Sequence, residues 1–323
     1  LTSTNTRLEQ IIERFASGRA FQRLAASLDE DRSEAQLVTG LAGSSAAFLI
    51  RALAERRPAP IIAVTQRSEE ASDLYEDLLF LLGPERVGHY PSRQILPYDF
   101  RAPVGEIMGK RISSLAGLAN GSLSVVVAPV RALMEPTIPV AQLKQTSIDL
   151  RVGEEQDIDD LVDRLIALGF HRVPLVEEVG DFARRGGLID FFSPGSDAPV
   201  RVEFFGDEVD TIRQFEVGSQ RTIGSVDRVL VLPRREIPIT QETLERYLEQ
   251  LPEEDSYYIR RRYVNDPELP GLEWLGLLFG VEQGRLFDYL SPESLLFFDG
   301  RGSIRDEAEA AFDEAIALRE RMT

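Results

Sequence analysis

The first 130 residues alternate between short, fully apolar runs and longer segments in which apolar residues recur every three or four positions. The apolar runs are typical of buried strands, and the wider spacing is typical of amphipathic helices. Such an alternation predicts an α/β fold with a parallel sheet covered by helices on both faces. Strands are predicted at residues 35–39, 61–65, 87–90 and 124–128. Helices are predicted within 5–30 and at 44–55, 68–82 and 106–119.

The pattern changes after residue 139, where short strands with closely spaced turn residues replace the strand–helix alternation. Turns at 193–196 and at Gly206-Asp207 are short enough for antiparallel hairpins. This stretch therefore predicts a small α+β domain that is inserted into, or appended to, the α/β domain. Its predicted elements are a helix at 158–168 and strands near 172–177, 183–192, 200–205 and 209–215. Further elements are predicted at 229–232 (strand), 241–251 (helix), 274–279 (aromatic-rich), 295–299 (strand) and 304–322 (charged helix).

Composition narrows the classes of function. The net charge of −18 opposes sequence-independent binding to DNA phosphates, which requires clustered basic residues. The absence of cysteine excludes disulfides, thiolate metal sites and a cysteine nucleophile. The two histidines, His89 and His171, lie far apart and lack neighbours at metal-ligand spacing, so we expect no metal and no cofactor. The apolar runs are too short to span a bilayer and no secretory signal is visible, so we expect a cytoplasmic protein without membrane contact.

A turn with two glycines follows the first predicted strand, where nucleotide-binding proteins carry their phosphate loop. A working loop reads G-x-x-x-x-G-K-[ST]; its lysine neutralises phosphates and its hydroxyl binds Mg²⁺. If Gly40 is the first glycine, Ser45 occupies the position of the second, and Gly43 lies between them. Ala46 then replaces the lysine and Ala47 the hydroxyl residue. The segment is either a degenerate nucleotide loop or a plain strand-to-helix turn, and both interpretations predict no ATP hydrolysis here.

Arginine and phenylalanine residues are interleaved along the predicted strands of the α+β domain. Both residue types are common anchors of protein–protein interfaces. Core phenylalanines combined with arginines on a solvated sheet face would produce the same alternation. The residues concerned are His171, Arg172, Phe182, Arg184, Arg185, Phe191, Phe192, Arg201, Phe204, Phe205 and Arg213.

Several runs resemble the bacterial transcription-repair coupling factor family. They are VVVAPVRAL at 125–133, GDFARRGGLIDFF at 180–192, VRVEFFGDEV at 200–209, SQR at 219–221 and LFDYL at 286–290. The resemblance covers essentially the whole chain and the amino-terminal third of that family's protein. The excision-repair helicase subunit UvrB shares the R-G-x-x-x-D-x-F and R-V-E-F-F-G-D-E runs. This chain departs from UvrB in its phosphate loop, and in the short loop between Tyr90 and Arg111, where UvrB carries a damage-probing β-hairpin.

The resemblance implies a UvrB-like module in two parts. Residues 1–133 and 223–323 would form a helicase-like, RecA/P-loop-type α/β domain around a parallel sheet. Residues 134–222 would form an inserted domain that binds the damage-recognition subunit UvrA. The family's UvrA contacts carry over to Arg172, Arg185 and Phe192, with Phe182, Arg184 and Arg201 as neighbours.

The implied function is that of a non-catalytic adaptor, which recruits UvrA to stalled RNA polymerase in transcription-coupled nucleotide excision repair. In the family the RNA-polymerase-binding domain and the ATP-dependent DNA translocase lie downstream of the matching segment. RNA polymerase and DNA are thus expected as partners only through those domains, against which the module would also pack intramolecularly. Two alternatives stay open: a UvrB-like helicase subunit that binds ATP through other residues, and a DNA-binding module of the same fold. Ala46 opposes the first and the net charge opposes the second.

Overall fold

The computed structural model describes residues 2–30, 35–95, 105–236 and 282–322, with a few positions between 245 and 261. The chain divides into two units, each assembled from separated segments. The first unit comprises Leu1–Ser92, Asn120–Met134 and Tyr289–Ala311, and the second comprises Arg93–Ala119, Glu135–Asp288 and Phe312–Thr323. The domain boundaries at 133/134 and 222/223 that the resemblance implies remain a prediction.

The described helices and strands follow in chain order. The helices are α1 (Thr2–Ala16), α2 (Arg19–Glu30), α3 (Ser45–Ala54), α4 (Ser68–Leu82), α5 (Gly105–Asn120), α6 (Val130–Met134), α7 (Val140–Thr146), α8 (Ile158–Ala167) and α9 (Arg301–Met322). The strands are β1 (Ile61–Thr65), β2 (Val87–His89), β3 (Val125–Pro129), β4 (Ile148–Arg151), β5 (His171–Arg172), β6 (Asp181–Arg185), β7 (Leu188–Phe191), β8 (Val200–Phe205), β9 (Glu208–Phe215), β10 (Thr222–Val226), β11 (Arg228–Val231) and β12 (Leu295–Phe298).

The first unit contains a four-stranded parallel sheet in the order β12-β1-β3-β2. Strands β1 and β3 are buried at every position, which explains why both runs are wholly apolar or nearly so. Helices α3 and α4 pack against this sheet in one hydrophobic core, and α4 ends at Gly83, whose φ of +87° favours glycine. The predicted α/β class with a parallel sheet is therefore confirmed.

One predicted strand of this unit is wrong. Residues 35–39 form no strand, and Leu37 and Val38 are 85% and 37% exposed. An apolar run of two residues buries too little surface to hold a strand. The predicted helical stretch 5–30 is interrupted at Ser17-Gly18 and forms two helices, α1 and α2.

The second unit is built on a six-stranded sheet in the order β10-β9-β8-β7-β6-β5. All neighbouring strands are antiparallel except β5 and β6. Helix α8 packs its apolar side on one face, and its N-terminus is capped by Asp157, which accepts hydrogen bonds from the backbone of Asp159 and Asp160 (2.8 Å each). Strands β4 and β11 form a separate antiparallel pair.

Two strand predictions in this unit need correction. The predicted strand 183–192 is a hairpin, because the chain reverses between β6 and β7 at Gly186-Gly187, and Gly186 has a φ of +62°. The predicted strand near 172–177 ends after Arg172, since Pro174 cannot donate a backbone hydrogen bond to a sheet. The predicted strand 200–205 and the hairpin at Gly206-Asp207 are confirmed.

Two predicted elements lie largely or wholly outside the described residues. The predicted helix at 241–251 is described at only a few positions, and the aromatic-rich stretch 274–279 lies outside the described residues. Among the helices that are described, none combines the length and the apolar character needed to cross a membrane.

Candidate protein-interaction site

The two faces of the six-stranded sheet carry different side chains. Alternation along the strands directs Phe182, Ile189, Phe191, Val202 and Ile212 into the core with α8. The residues between them lie on the opposite face, which we call the open face. Strand register aligns its residues in two rows, Ala183–Asp190–Arg201–Arg213 and Arg185–Leu188–Glu203–Thr211.

The arginines at the centre of the open face are held by acidic neighbours. Arg201 makes two 2.7 Å hydrogen bonds to the buried carboxylate of Asp190, and its guanidinium lies 5.1 Å from the ring centre of Phe215. The hydrogen bond to Asp190 raises the pKa of Arg201 above its ordinary value. Arg213 forms an ion pair with Glu203 on the neighbouring strand. This part of the face is an ordered alternation of charges and not a patch of uncompensated positive charge.

Two of the predicted contact arginines remain accessible. Arg172 on β5 and Arg185 at the end of β6 are both exposed. Arg185 donates a hydrogen bond to the carbonyl of Pro174 (2.7 Å). In the described part of the chain, neither arginine lies within ion-pair distance of an acidic side chain. Both therefore have charge available for a partner.

The remaining predicted contacts differ in availability. Phe182 is fully buried opposite Phe191, so its side chain is not accessible in this structure, and its predicted role in UvrA binding stays a prediction. Arg184 follows Phe182 by two positions on β6 and lies on the same side of the sheet as α8. It pairs there with Asp159 of α8, away from the open face. Phe192 is half-buried and packs with Val173, Val176, Ala183 and Phe215 at one end of the open face. The structure thus brings Arg185, Phe192 and Arg201 to one face, whereas Arg172 pairs with Phe182 of β6 and therefore lies on the α8 side of the sheet.

Arg234 supports the β5 edge of the sheet and was not recognised in the sequence. Its side chain lies directly on Gly180, where a Cβ atom would be 2.4 Å from Arg234 Cδ and where φ is +91°. Its Nη1 atom is 2.7 Å from Nε2 of His171, next to Arg172. Burial and the nearby Arg234 charge lower the pKa of His171. Gly180 was the only sequence signal of this packing, since Arg234 is distant along the chain.

A buried ionic cluster in the same unit was also missed. Arg93, Arg111, Glu135 and Glu236 have side chains that are at most 6% exposed. Arg111 donates to Glu236 (2.7 Å) and to Glu135 (2.6 Å), while Arg93 pairs with Glu236 and donates to the carbonyl of Pro136 (2.6 Å). Burial raises the pKa of Glu236, but the charges of Arg111 and Arg93 outweigh burial and lower it overall. The cluster therefore joins a loop, helix α5 and two further segments through paired charges.

The segment Gly40–Ala47 adopts a turn that leads into α3. Gly40 and Gly43 have φ values of +84° and +55°, and the backbone of Ala42 donates to the hydroxyl of Ser45 (2.6 Å). Ala46 and Ala47 are 7% and 0% exposed, so both side chains face the core. The positions that would hold the lysine and hydroxyl of a phosphate loop are part of the hydrophobic packing.

Restoring the missing lysine is expected to damage the unit. Ala46→Lys would force a long cationic side chain into the core, at a cost of about 1–3 kcal/mol from overpacking alone. We expect a lower thermal midpoint and no ATP turnover, whereas Ser44→Lys at an exposed position should leave the midpoint nearly unchanged. Thermal denaturation followed by circular dichroism measures the midpoint, and an assay of phosphate release measures ATP turnover. An Ala46→Lys protein that keeps the wild-type midpoint and hydrolyses ATP would contradict the prediction.

Comparison with known proteins extends these observations. The sequence model of the UvrB interaction domain matches residues 148–237, which include the whole six-stranded sheet. The transcription-repair-coupling factor of Myxococcus xanthus is 37% identical over 234 residues, covering 70% of this chain and 19% of that protein. Those of Escherichia coli (strain K12) and Bacillus subtilis (strain 168) are 30% and 32% identical, covering 83% and 72% of this chain.

The matched segments represent 24% of the Escherichia coli protein and 20% of the Bacillus subtilis protein. The chain therefore spans about a fifth to a quarter of the length of these relatives. The sequence runs that suggested the family, the domain match and the relatives agree. This chain belongs to the transcription-repair-coupling factor family, of which it is an amino-terminal, UvrB-homologous module.

Proposed function

We propose that this module is a non-catalytic adaptor that binds UvrA and thereby recruits it to stalled transcription complexes. One observation carries the proposal. The segment matched by the UvrB interaction domain is the same segment that presents the exposed Arg185 and the half-buried Phe192 on one face of the six-stranded sheet. Interfaces commonly use such arginines and aromatic residues as anchors.

The open face suits a protein partner better than a nucleic acid. Its central arginines are already paired with carboxylates, so few cations are left to neutralise phosphates. Arg185 supplies an available cation on this face, and Phe192 supplies apolar surface. This combination favours a partner surface with a few acidic groups around an apolar centre.

The loop Gly40–Ala47 of the first unit also supports the adaptor proposal. We infer that this unit is a helicase-like domain, of RecA type, that has kept its parallel sheet without the chemistry of a phosphate loop. At the position of the phosphate-loop lysine the chain has the buried and uncharged Ala46. ATP turnover by this chain alone would contradict this part of the proposal.

The activities of the whole family protein are proposed to lie in the remaining three quarters or more of its length. RNA polymerase binding and ATP-dependent DNA translocation would belong there, and packing of those parts against this module is a further proposal. The module itself would contribute the contact to UvrA.

A competition experiment tests the adaptor function. Because the matched domain model is that of UvrB, we expect this chain and UvrB to bind the same surface of UvrA. Labelled chain bound to UvrA should be displaced by increasing UvrB, as followed by fluorescence anisotropy. Simultaneous binding of both proteins, or no binding of the chain to UvrA, would contradict the proposal.

A further inference from the structure

Phe205 is an aromatic residue whose ring is exposed, and it is not among the predicted UvrA contacts. It is the last residue of β8, directly before the turn Gly206-Asp207, and it is 83% exposed. Its neighbour Phe204 packs against the core with α8. Since consecutive strand residues point to opposite faces, Phe205 lies on the open face.

Phe205 and Arg185 lie at the same end of the open face. Phe205 follows Glu203 by two positions on one strand, and Glu203 pairs with Leu188, which pairs with Arg185. The backbone of Phe204 donates to the carbonyl of Gly187 (2.9 Å), which brings the Gly186-Gly187 turn beside Phe205. These glycines have no side chains that could cover the ring.

The hairpin that carries Phe205 is firmly held. Backbone hydrogen bonds connect its turn end to residues 153–156: Gly153 N to Val209 O (2.8 Å), Val209 N to Glu154 O (3.0 Å) and Gln156 N to Asp207 O (2.6 Å). Because the backbone of the hairpin is held in place, a partner that covers the ring has to order the side chain but not the loop. An exposed aromatic residue in this position, beside an available arginine, has the properties of an interface anchor.

We propose that Phe205 is an anchor of the UvrA-binding surface, which inserts into an apolar pocket of UvrA that has an acidic rim. The acidic rim follows from Arg185, which has no acidic partner among the described residues. This inference rests on the proposed function and extends the surface from the predicted arginines to the tip of the β8–β9 hairpin. Fully burying one phenylalanine strengthens binding by about tenfold or more.

The test compares Phe205→Ala with Phe80→Ala in calorimetric titrations of the whole 323-residue chain with UvrA. Phe80 lies on α4 of the first unit and is 73% exposed, so it matches Phe205 in chemistry and exposure. We expect Phe205→Ala to weaken UvrA binding about tenfold or more and Phe80→Ala to leave it unchanged. Phe205→Leu, which keeps an apolar side chain, should recover part of the loss. Neither alanine variant should change the thermal midpoint, because both rings are exposed.

The outcomes separate this inference from the proposed function. If the wild-type chain binds UvrA, Arg185→Ala weakens binding and Phe205→Ala does not, the anchor role of Phe205 is wrong and the adaptor function stands. If Phe205→Ala and Phe80→Ala weaken binding equally, the anchor role is also wrong. If the wild-type chain does not bind UvrA, the proposed function itself is wrong.

Discussion

Arg111→Met is expected to lower the free energy of unfolding of the second unit by about 3–5 kcal/mol, because it leaves buried carboxylates without a counter-charge. Glu236 has a fully buried side chain and accepts from both Arg111 and Arg93. Without Arg111, Glu236 and Glu135 would together face only one of the two guanidinium groups of the cluster. Urea denaturation followed by circular dichroism measures the loss.

The matched control is Arg164→Met. Arg164 forms an ion pair with Asp160 one turn away on α8 at 4.0 Å, and both side chains are at least 40% exposed. Exposed pairs of this kind contribute about 0.5 kcal/mol or less. Equal losses in the two variants would show that the buried cluster has no special role in stability.

Arg185→Ala is expected to weaken UvrA binding about thirtyfold, which corresponds to the roughly 2 kcal/mol typical of an interface anchor. Arg185 is exposed and its only described side-chain hydrogen bond is to the carbonyl of Pro174, so its removal should spare the fold. Arg164→Ala is the control, since Arg164 belongs to the helix that packs on the opposite face of the sheet. Equal affinities of the two variants for UvrA would place the binding surface elsewhere.

The sequence predicted correctly those helices and strands whose bounds depend on neighbouring residues alone. Strand β1 and helix α4 have the predicted bounds, because a run of four apolar residues and Thr65 forms the first and Gly83 ends the second. The stretch 183–192 was misjudged because its flanking apolar residues concealed a reversal at Gly186-Gly187. Leu37 and Val38 are apolar, but they could form a buried strand only if a neighbouring strand paired with them, and both are exposed.

In the candidate site, too, some features could be predicted from the sequence and others depend on strand register or on residues far apart in the chain. The sequence runs and the family resemblance predict Arg185 and Phe192 as contacts, which the structure leaves accessible or half-buried, but the buried position of Phe182 became clear only from the pairing with Phe191. The pairing of Arg201 with Asp190 depends on strand register. Arg93, Arg111, Glu135 and Glu236 come from four separate parts of the chain, so no local spacing could have revealed their cluster.

The most direct test of the central claim is a calorimetric titration of UvrA with the wild-type chain and with Arg185→Ala at one salt concentration. The adaptor function predicts saturable binding of the wild-type chain and a dissociation constant about thirtyfold higher for Arg185→Ala. Absence of binding by the wild-type chain, or equal binding by both proteins, would contradict the claim that the open face of the six-stranded sheet binds UvrA.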